Sequence, residues 1–282
     1  MDWGPGYREQ PPPAGLLPSV ACLWARVVGP GAGAAAAVLP DACVDLIWEQ
    51  GYGVFVAGPD TGPAPSVSPA GTVFAALRFA PGAAGPALGL PMSELLNQRV
   101  DAADLGTGPG AELARALPGS LDPAQALRVL ARMAGAMTGE GPADPLAARA
   151  ARLLRHPGAR AESIAGRLDV SERQLRRRCQ AAVGYGPATL RRVLRFRRFV
   201  SWADAGAPGG DLATIAAELG YADQAHLTRE CTRLAGQAPT ALIAGRQPAA
   251  RSDDSRRAGP SAPTKRRTAL GGASPTGRPE MR

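Results

Sequence analysis

The second half of the chain contains one unit twice, and this repeat limits the fold more than any other feature. Ala161, Ile164, Ala165 and Leu168 recur as Leu212, Ile215, Ala216 and Leu219, with Ile164 and Leu168 matched at an offset of 51 residues. Leu175, Cys179, Gly184 and Pro187 recur as Leu227, Cys231, Gly236 and Pro239 at an offset of 52. The extra residue falls between Leu219 and Leu227, where a turn absorbs it.

Each copy reads as helix, tight turn, helix. In the first, Ile164, Ala165 and Leu168 share a helical face, and Asp169-Val170 ends the helix. Ser171 is then placed to accept from backbone N–H groups of the next turn. Leu175 and Cys179, at i and i+4, give the following helix its buried stripe. In the second copy Gly220 supplies the turn, Tyr221 caps the small core, and Asp223 takes the capping position. Leu227, Cys231 and Leu234 form its stripe. Gly184 and Gly236 suit helix ends, and Pro187 and Pro239 suit the first turns of the helices that follow.

With the stripes turned inward, Arg173, Gln174, Arg176 and Arg177 face outward near the start of the first unit's second helix. Gln224, Ala225, His226 and Arg229 hold the corresponding face in the second; His226 there is either a DNA contact or a solvated residue. These residue types suit base edges: Arg pairs bidentately with guanine, Gln reads adenine, and Ala fits a thymine methyl. Between the units, Pro187 to Trp202 reads as a rigid helix of about 24 Å. A spacer of that order holds two recognition helices near one DNA turn apart, about 34 Å. Arg178, Arg191, Arg195 and Arg198 are expected at phosphates or on solvated faces.

Charge follows the same division. Residues 1–146 carry 7 Arg against 13 acids, 147–246 carry 17 Arg against 8 acids, and 247–282 carry 8 basic residues against 3, giving −6, +9 and +5 of the net +8. A mildly acidic half joined to a strongly basic one is the footprint of a module that meets a polyanion, attached to one that does not. From Gln247 onward the composition is Ala, Ser, Pro, Gly and Arg with almost no large apolar residue, that of a disordered tail.

Several function classes are disfavoured. No apolar run reaches the roughly 18 residues of a membrane span, and Met1 to Gly15 lacks the basic start and apolar core of a secretory signal. Cys22, Cys43, Cys179 and Cys231 have no CxxC spacing, and His156 and His226 are the only histidines, so no disulfide framework and no metal site is expected. Gly-x-Ser-x-Gly and phosphate-loop motifs are absent. No enzymatic activity and no cofactor are expected; a reactive thiol at Cys22 or Cys43 would need a basic neighbour to lower its pKa.

In the first half, alternation and β-branched content at Val20–Val28, Val44–Trp48, Val54–Ala57 and Thr72–Phe79 predict short strands between Gly/Pro turns, hence a small sheet or barrel. Ala111–Leu117 and Pro123–Met137 predict two helices, the second with Leu127, Leu130, Ala131 and Ala134 on one face. The plain reading of that face is packing against its own sheet. Trp24, Trp48, Asp41, Asp45 and Arg78 are candidate effector-pocket residues, because aromatic faces and a few charges are what small-ligand pockets use. Asp41 and Asp45, four apart, either share a strand face as paired carboxylates or leave Asp41 in a turn.

The residues Ile164-Ala165, Ser171-Glu172-Arg173-Gln174-Leu175, Gly184-Tyr185-Gly186-Pro187 and, above all, Ile215 to Glu230 resemble the C-terminal DNA-binding domain of the AraC/XylS regulators over about 100 residues, Pro145 to Arg246. Cys179 and Cys231 stand where that family usually has Phe. Leu39 to Trp48, Val56-Ala57-Gly58-Pro59, Leu77 to Gly82 and Glu94 to Asn97 resemble the N-terminal domain of one branch of these regulators.

The resemblance implies an α+β chain of two domains: a small β-rich, barrel-like N-terminal domain with flanking helices (1–138), a linker (139–144), an all-α domain of two helix-turn-helix units joined by a long helix (145–246), and the tail (247–282). It implies a cytoplasmic transcription regulator, usually an activator, whose partners are double-stranded promoter DNA, RNA polymerase, a small-molecule effector and a second copy of the chain. A non-specific DNA-associated or protein-interaction module is the alternative.

Overall fold

The computed structural model describes residues 5–17, 19–30, 36–105, 112, 116–138, 144–207 and 210–246. Its first part is an antiparallel sheet in the order β1 (Gly6–Gln10), β2 (Val20–Val27), β7 (Val73–Phe79), β4 (Val44–Glu49), β5 (Gly53–Ala57), β8 (Arg99–Asp101). A separate short pair joins β3 (Ala36–Val38) to β6 (Ala64–Ser66). The four expected strands are β2, β4, β5 and β7, each within one residue of its expected ends. Strands β1 and β8 are the two edges, so the barrel-like expectation resolves into an open sheet.

Strand alternation sorts the side chains onto two faces. Leu23, Leu46, Trp48, Val54, Val56, Ala75, Leu77 and Phe79 pack beneath α1 (Ala84–Leu88) and α2 (Pro123–Thr138), which contributes Ala126, Leu127, Leu130 and Ala134. Trp24, Ile47, Phe55, Phe74 and Ala76 fill the opposite face. The apolar stripe of α2 is therefore buried on its own sheet. The helix expected over Ala111–Leu117 falls mostly outside the described residues, as do positions 139–143 of the expected linker and the tail from Gln247.

The second part is all α: α3 (Pro145–Leu154), α4 (Ala161–Arg167), α5 (Glu172–Val183), α6 (Pro187–Asp204), α7 (Leu212–Glu218), α8 (Gln224–Ala235) and α9 (Pro239–Ala244). The pairs α4–α5 and α7–α8 are the two helix-turn-helix units. Their starts are fixed by side chains: Gln174 N donates to Ser171 Oγ at 3.2 Å while Gln174 Oε1 accepts from Ser171 N at 2.9 Å, and His226 N donates to Asp223 Oδ1 at 2.6 Å. Their ends are fixed by Gly184 and Gly236 at φ of +90° and +72°, a left-handed conformation that costs a side-chain-bearing residue about 1 kcal/mol.

One core runs through both units and the helix between them. Ile164, Leu175 and Cys179 share it with Leu190, Phe196 and Phe199 of α6 and with Ala216, Tyr221, Leu227 and Cys231. Helix α6 extends two residues past its expected end and is about 27 Å long. Among the described residues no helix is long and apolar enough to cross a membrane.

Candidate nucleic-acid interface

Leu175 and Cys179 anchor α5 in the core, and Leu227 and Cys231 anchor α8 in the same way. The opposite faces are consequently exposed, with Arg173, Arg176 and Arg177 on α5 and Gln224, Ala225 and Arg229 on α8. None of these four arginines forms an ion pair among the described residues. Arg177 and Arg229 occupy the same position of the repeat, 52 residues apart. Two equivalent helices thus present unneutralised guanidinium groups.

Two members of the expected set differ from the rest. Gln174 is exposed, but its Oε1 accepts from both Ser171 N and Ser171 Oγ, at 2.9 and 3.0 Å, so its amide acceptor is occupied at the helix start. His226 turns back from the exposed face: its ring stands edge-on to Tyr221, with centroids 5.5 Å apart. Nδ1 lies 3.2 Å from Ala222 N, and Nε2 lies 3.1 Å from Arg195 Nη2. The neutral ring accepts from one of these donors at a time. Burial, then the Arg195 charge, lower the imidazole pKa.

Three arginines expected at phosphates or on solvated faces fasten neighbouring elements, Arg195 and Arg198 from within the fold and Arg178 from the exposed surface. Arg195 is 5% exposed; it donates to Gly220 O at 3.1 Å, pairs with Glu230 at 3.2 Å, and lies over the Tyr221 ring. Arg198 donates to Arg155 O at 2.6 Å and to Leu219 O at 3.0 Å, joining the end of α3 to the end of α7. Arg178 pairs with Asp144, the residue that caps α3, through two bonds of 2.8 Å. Arg195 carries only a weak mark in the sequence, its apolar neighbours. Val193, Leu194 and Phe196 around it are all buried, which leaves that turn of α6 without an outward face.

The candidate effector residues separate by sheet face. Trp24, Asp45 and Arg78 lie on the face away from α2, whereas Trp48 lies beneath α2 and donates to Pro118 O at 3.0 Å. Asp45 and Arg78 are directly opposite each other on β4 and β7. Arg78 holds Asp45 with bonds of 2.8 and 2.7 Å and lies 3.4 Å from Asp41 and 3.7 Å from Glu9. Trp24 Nε1 donates to Asp45 at 3.3 Å. Asp41 precedes β4; its Oδ1 accepts from Cys43 N at 2.9 Å in a turn where Ala42 has φ +68°. Of the two expectations for Asp41, the turn is the one found.

These charges open into a cavity of about 100 Å³ between the two parts of the chain. Asp41, Cys43, Asp45 and Arg78 line it from the sheet, and Arg197, Ser201 and Asp204 from α6. Neither tryptophan lines it. Cys43 is buried there with its Sγ 3.9 Å from Arg197 Nη1, and burial together with Asp41 pushes its thiol pKa up to about 12. Sequence reasoning missed Arg197, Asp204 and Arg246, because no pattern along the chain reveals which face of α6 meets the sheet.

A loop of the first part, Pro59 to Pro63, reaches the ends of both exposed helices. A Cβ built on Gly184 would lie 2.6 Å from Pro59 Cγ, and one built on Gly236 would lie 3.6 Å from Pro63 Cγ. Among the described residues no cluster of His, Cys, Asp and Glu suits a metal ion.

Two family patterns match the chain: a domain of unknown function, DUF6597, over residues 8–101, and a helix-turn-helix domain over residues 164–244. A comparison with curated proteins finds no match. Among solved structures the chain is similar to ToxT from Vibrio cholerae. An apo variant is 11% identical, with 78% of this chain and 96% of that one covered and a TM-score of 0.42. ToxT of strain O395 is 10% identical, with 84% and 97% covered and a TM-score of 0.40. Wild-type ToxT with bound unsaturated fatty acid is 10% identical, with 86% and 96% covered and a TM-score of 0.40. The matched helix-turn-helix region coincides with the doubled unit, so this part of the chain is a helix-turn-helix domain, in keeping with its resemblance to the DNA-binding domain of the AraC/XylS regulators.

Proposed function

We propose that the chain is a sequence-specific regulator that places α5 and α8 in successive major grooves of one promoter site. The observation that carries this is the equivalence of the two exposed faces. Arg173, Arg176 and Arg177 project from one helix and Gln224, Ala225 and Arg229 from the other, with Arg173 matching Ala225 and Arg177 matching Arg229 in the repeat, and no ion pair neutralises the arginines among the described residues. Gln174 and His226, although part of the same faces, support the helix starts. The residues 145–246 would form the reading domain and 1–138 the sensing domain. The setting is the cytoplasm, with RNA polymerase as the partner through which bound protein activates transcription and a second copy of the chain as a further partner.

The N-terminal domain supports an effector response. Asp41, Asp45 and Arg78 surround a cavity between the sheet and α6, so a small polar molecule seated there would touch both parts at once. Trp24 acts behind this site by holding Asp45, and Trp48 serves the core.

The test is a footprint of the full chain on DNA selected from random sequence, at two salt concentrations. Two protected major-groove segments about one turn apart, persisting at the higher salt, are expected. Arg176→Ala and Arg229→Ala should each cost about 1–3 kcal/mol on the selected site and relax its base preference. Equal weakening on all sequences would overturn base readout by these residues.

A further inference from the structure

One cleft of the DNA-binding domain belongs to neither exposed helix face. A groove of about 520 Å³ runs between the two units, bordered by the loop into α4, by the first half of α6, and by the turn between α7 and α8. Small residues, Gly158, Ala188, Gly220 and Ala222, make up much of its lining and admit close approach of a ligand. The two units also touch there. A Cβ on Gly220 would lie 2.4 Å from Pro157 O, so the walls of the groove are held at a fixed separation.

Its charge is unbalanced. Arg160, Arg191, Arg192 and Arg195 face Glu162 and Glu230. Glu230 is taken, by Arg192 at 3.0 Å and Arg195 at 3.2 Å. Arg160 and Arg191 have no ion pair among the described residues. Arg191 is half-buried, and burial together with the Arg195 and Arg160 charges lowers its guanidinium pKa against the opposing pull of Glu162 and Glu230. A desolvated cation flanked by like charges gains most from an arriving anion.

The place of the groove indicates which anion. It borders Ala222 and His226 at the start of α8 and Arg160 at the start of α4. Two helices seated in successive major grooves leave one minor groove between them, and its phosphate strands pass between the units that carry the helices. We propose that the groove between the units is a third DNA contact, in which Arg191 and Arg160 bind backbone phosphates between the two half-sites. This rests on the two-groove binding mode proposed above, and adds a site to it that carries no base information.

The test uses the full chain on a site selected from random DNA. Arg191→Ala and Arg160→Ala should each reduce the slope of log K against log salt concentration by about 0.9 while leaving the footprint and base preference unchanged. Arg191→Lys should restore the slope, and Arg191→Gln with a native melting temperature guards against a folding defect. Replacing phosphates one at a time with uncharged methylphosphonates between the protected segments should weaken the wild type severalfold at one or two positions. At those positions Arg191→Ala should show no further loss. An unchanged slope, or equal losses in the wild type and Arg191→Ala, overturns the groove contact while two protected segments leave the two-groove mode standing. Diffuse protection by the wild type overturns both.

Discussion

The guanidinium of Arg195 lies over the ring of Tyr221, 4.4 Å from its centroid, and so ties the middle of α6 to the turn of the second helix-turn-helix unit. The same side chain bonds Gly220 O and Glu230, a carboxylate that is itself 8% exposed. Arg195→Ala should destabilise the DNA-binding domain by about 3 kcal/mol, because it strands part of a buried charge that Arg192 alone does not satisfy. Arg195→Lys should recover only a fraction, since an ammonium lacks the planar fork that meets several acceptors. Urea unfolding followed by tryptophan fluorescence would check both; a loss under about 1 kcal/mol for Arg195→Ala would show the cluster to be incidental.

A pair of glycine substitutions separates helix ending from domain docking. Gly184→Ala and Gly236→Ala both place a side chain at positive φ and should each cost about 1 kcal/mol for that reason. Only Gly184→Ala also drives a methyl into Pro59, at 2.6 Å, and against Met92 O, at 3.0 Å. It should therefore be the worse of the two, and the excess should shrink in Gly184→Ala/Pro59→Gly, leaving the part due to Met92 O. Equal costs for the two glycines would mean that the loop yields freely.

His226 makes folding pH-dependent. Its imidazole pKa is lowered below the ordinary 6.5, chiefly by burial, so the unfolded chain binds the proton more readily than the folded one. The stabilisation from keeping the ring neutral is present above that value and is lost as pH falls through the lowered one. Denaturant midpoints should drop as pH falls below about 6.5, the ordinary imidazole value, and His226→Gln should flatten that drop. A wild-type profile already flat over this range would contradict the placement of the ring.

Alkylation should report the contact between the two parts of the chain. With its thiol pKa raised to about 12 and its side chain buried against α6, Cys43 should not react with iodoacetamide in the native protein. Cys22, which is partly exposed, should label first. Mass spectrometry at increasing urea should then show Cys43 labelling no later than Cys179 and Cys231, which lie in the core of the DNA-binding domain. Rapid native labelling of Cys43 would show that the seam opens in solution.

The doubled unit was legible because it is local: the cap, stripe and closing glycine of each second helix lie within 13 residues of one another, Ser171 to Gly184 and Asp223 to Gly236, and both copies repeat them. Strands β2, β4, β5 and β7 were legible for the same reason, as each carries its own alternation. Edge strand β1 was not. Tyr-Arg-Glu-Gln is polar, and it becomes a strand only because Val20–Val27 offers a free edge to pair with. The arginines were the least legible. Arg176 and Arg195 are the same residue type on helices of similar charge, and what distinguishes them is whether a second unit stands in front. Arg197 and Asp204 joined the cavity for an equally non-local reason, the docking of the sheet on α6.

The loop from Pro59 to Pro63 touches Gly184 and Gly236, which are the same landmark in each copy of the repeat. A contact made twice at equivalent points constrains the relation between the two copies and leaves the interior of each alone. For a protein with two readers, that relation is a phase: the angular offset along the double helix at which both fit together. In the proposed two-groove mode, moving this loop should leave the sequence each unit favours unchanged and alter the spacing at which the two can be satisfied by one stretch of DNA. Its natural readout is therefore a series of sites differing by single base pairs between their halves.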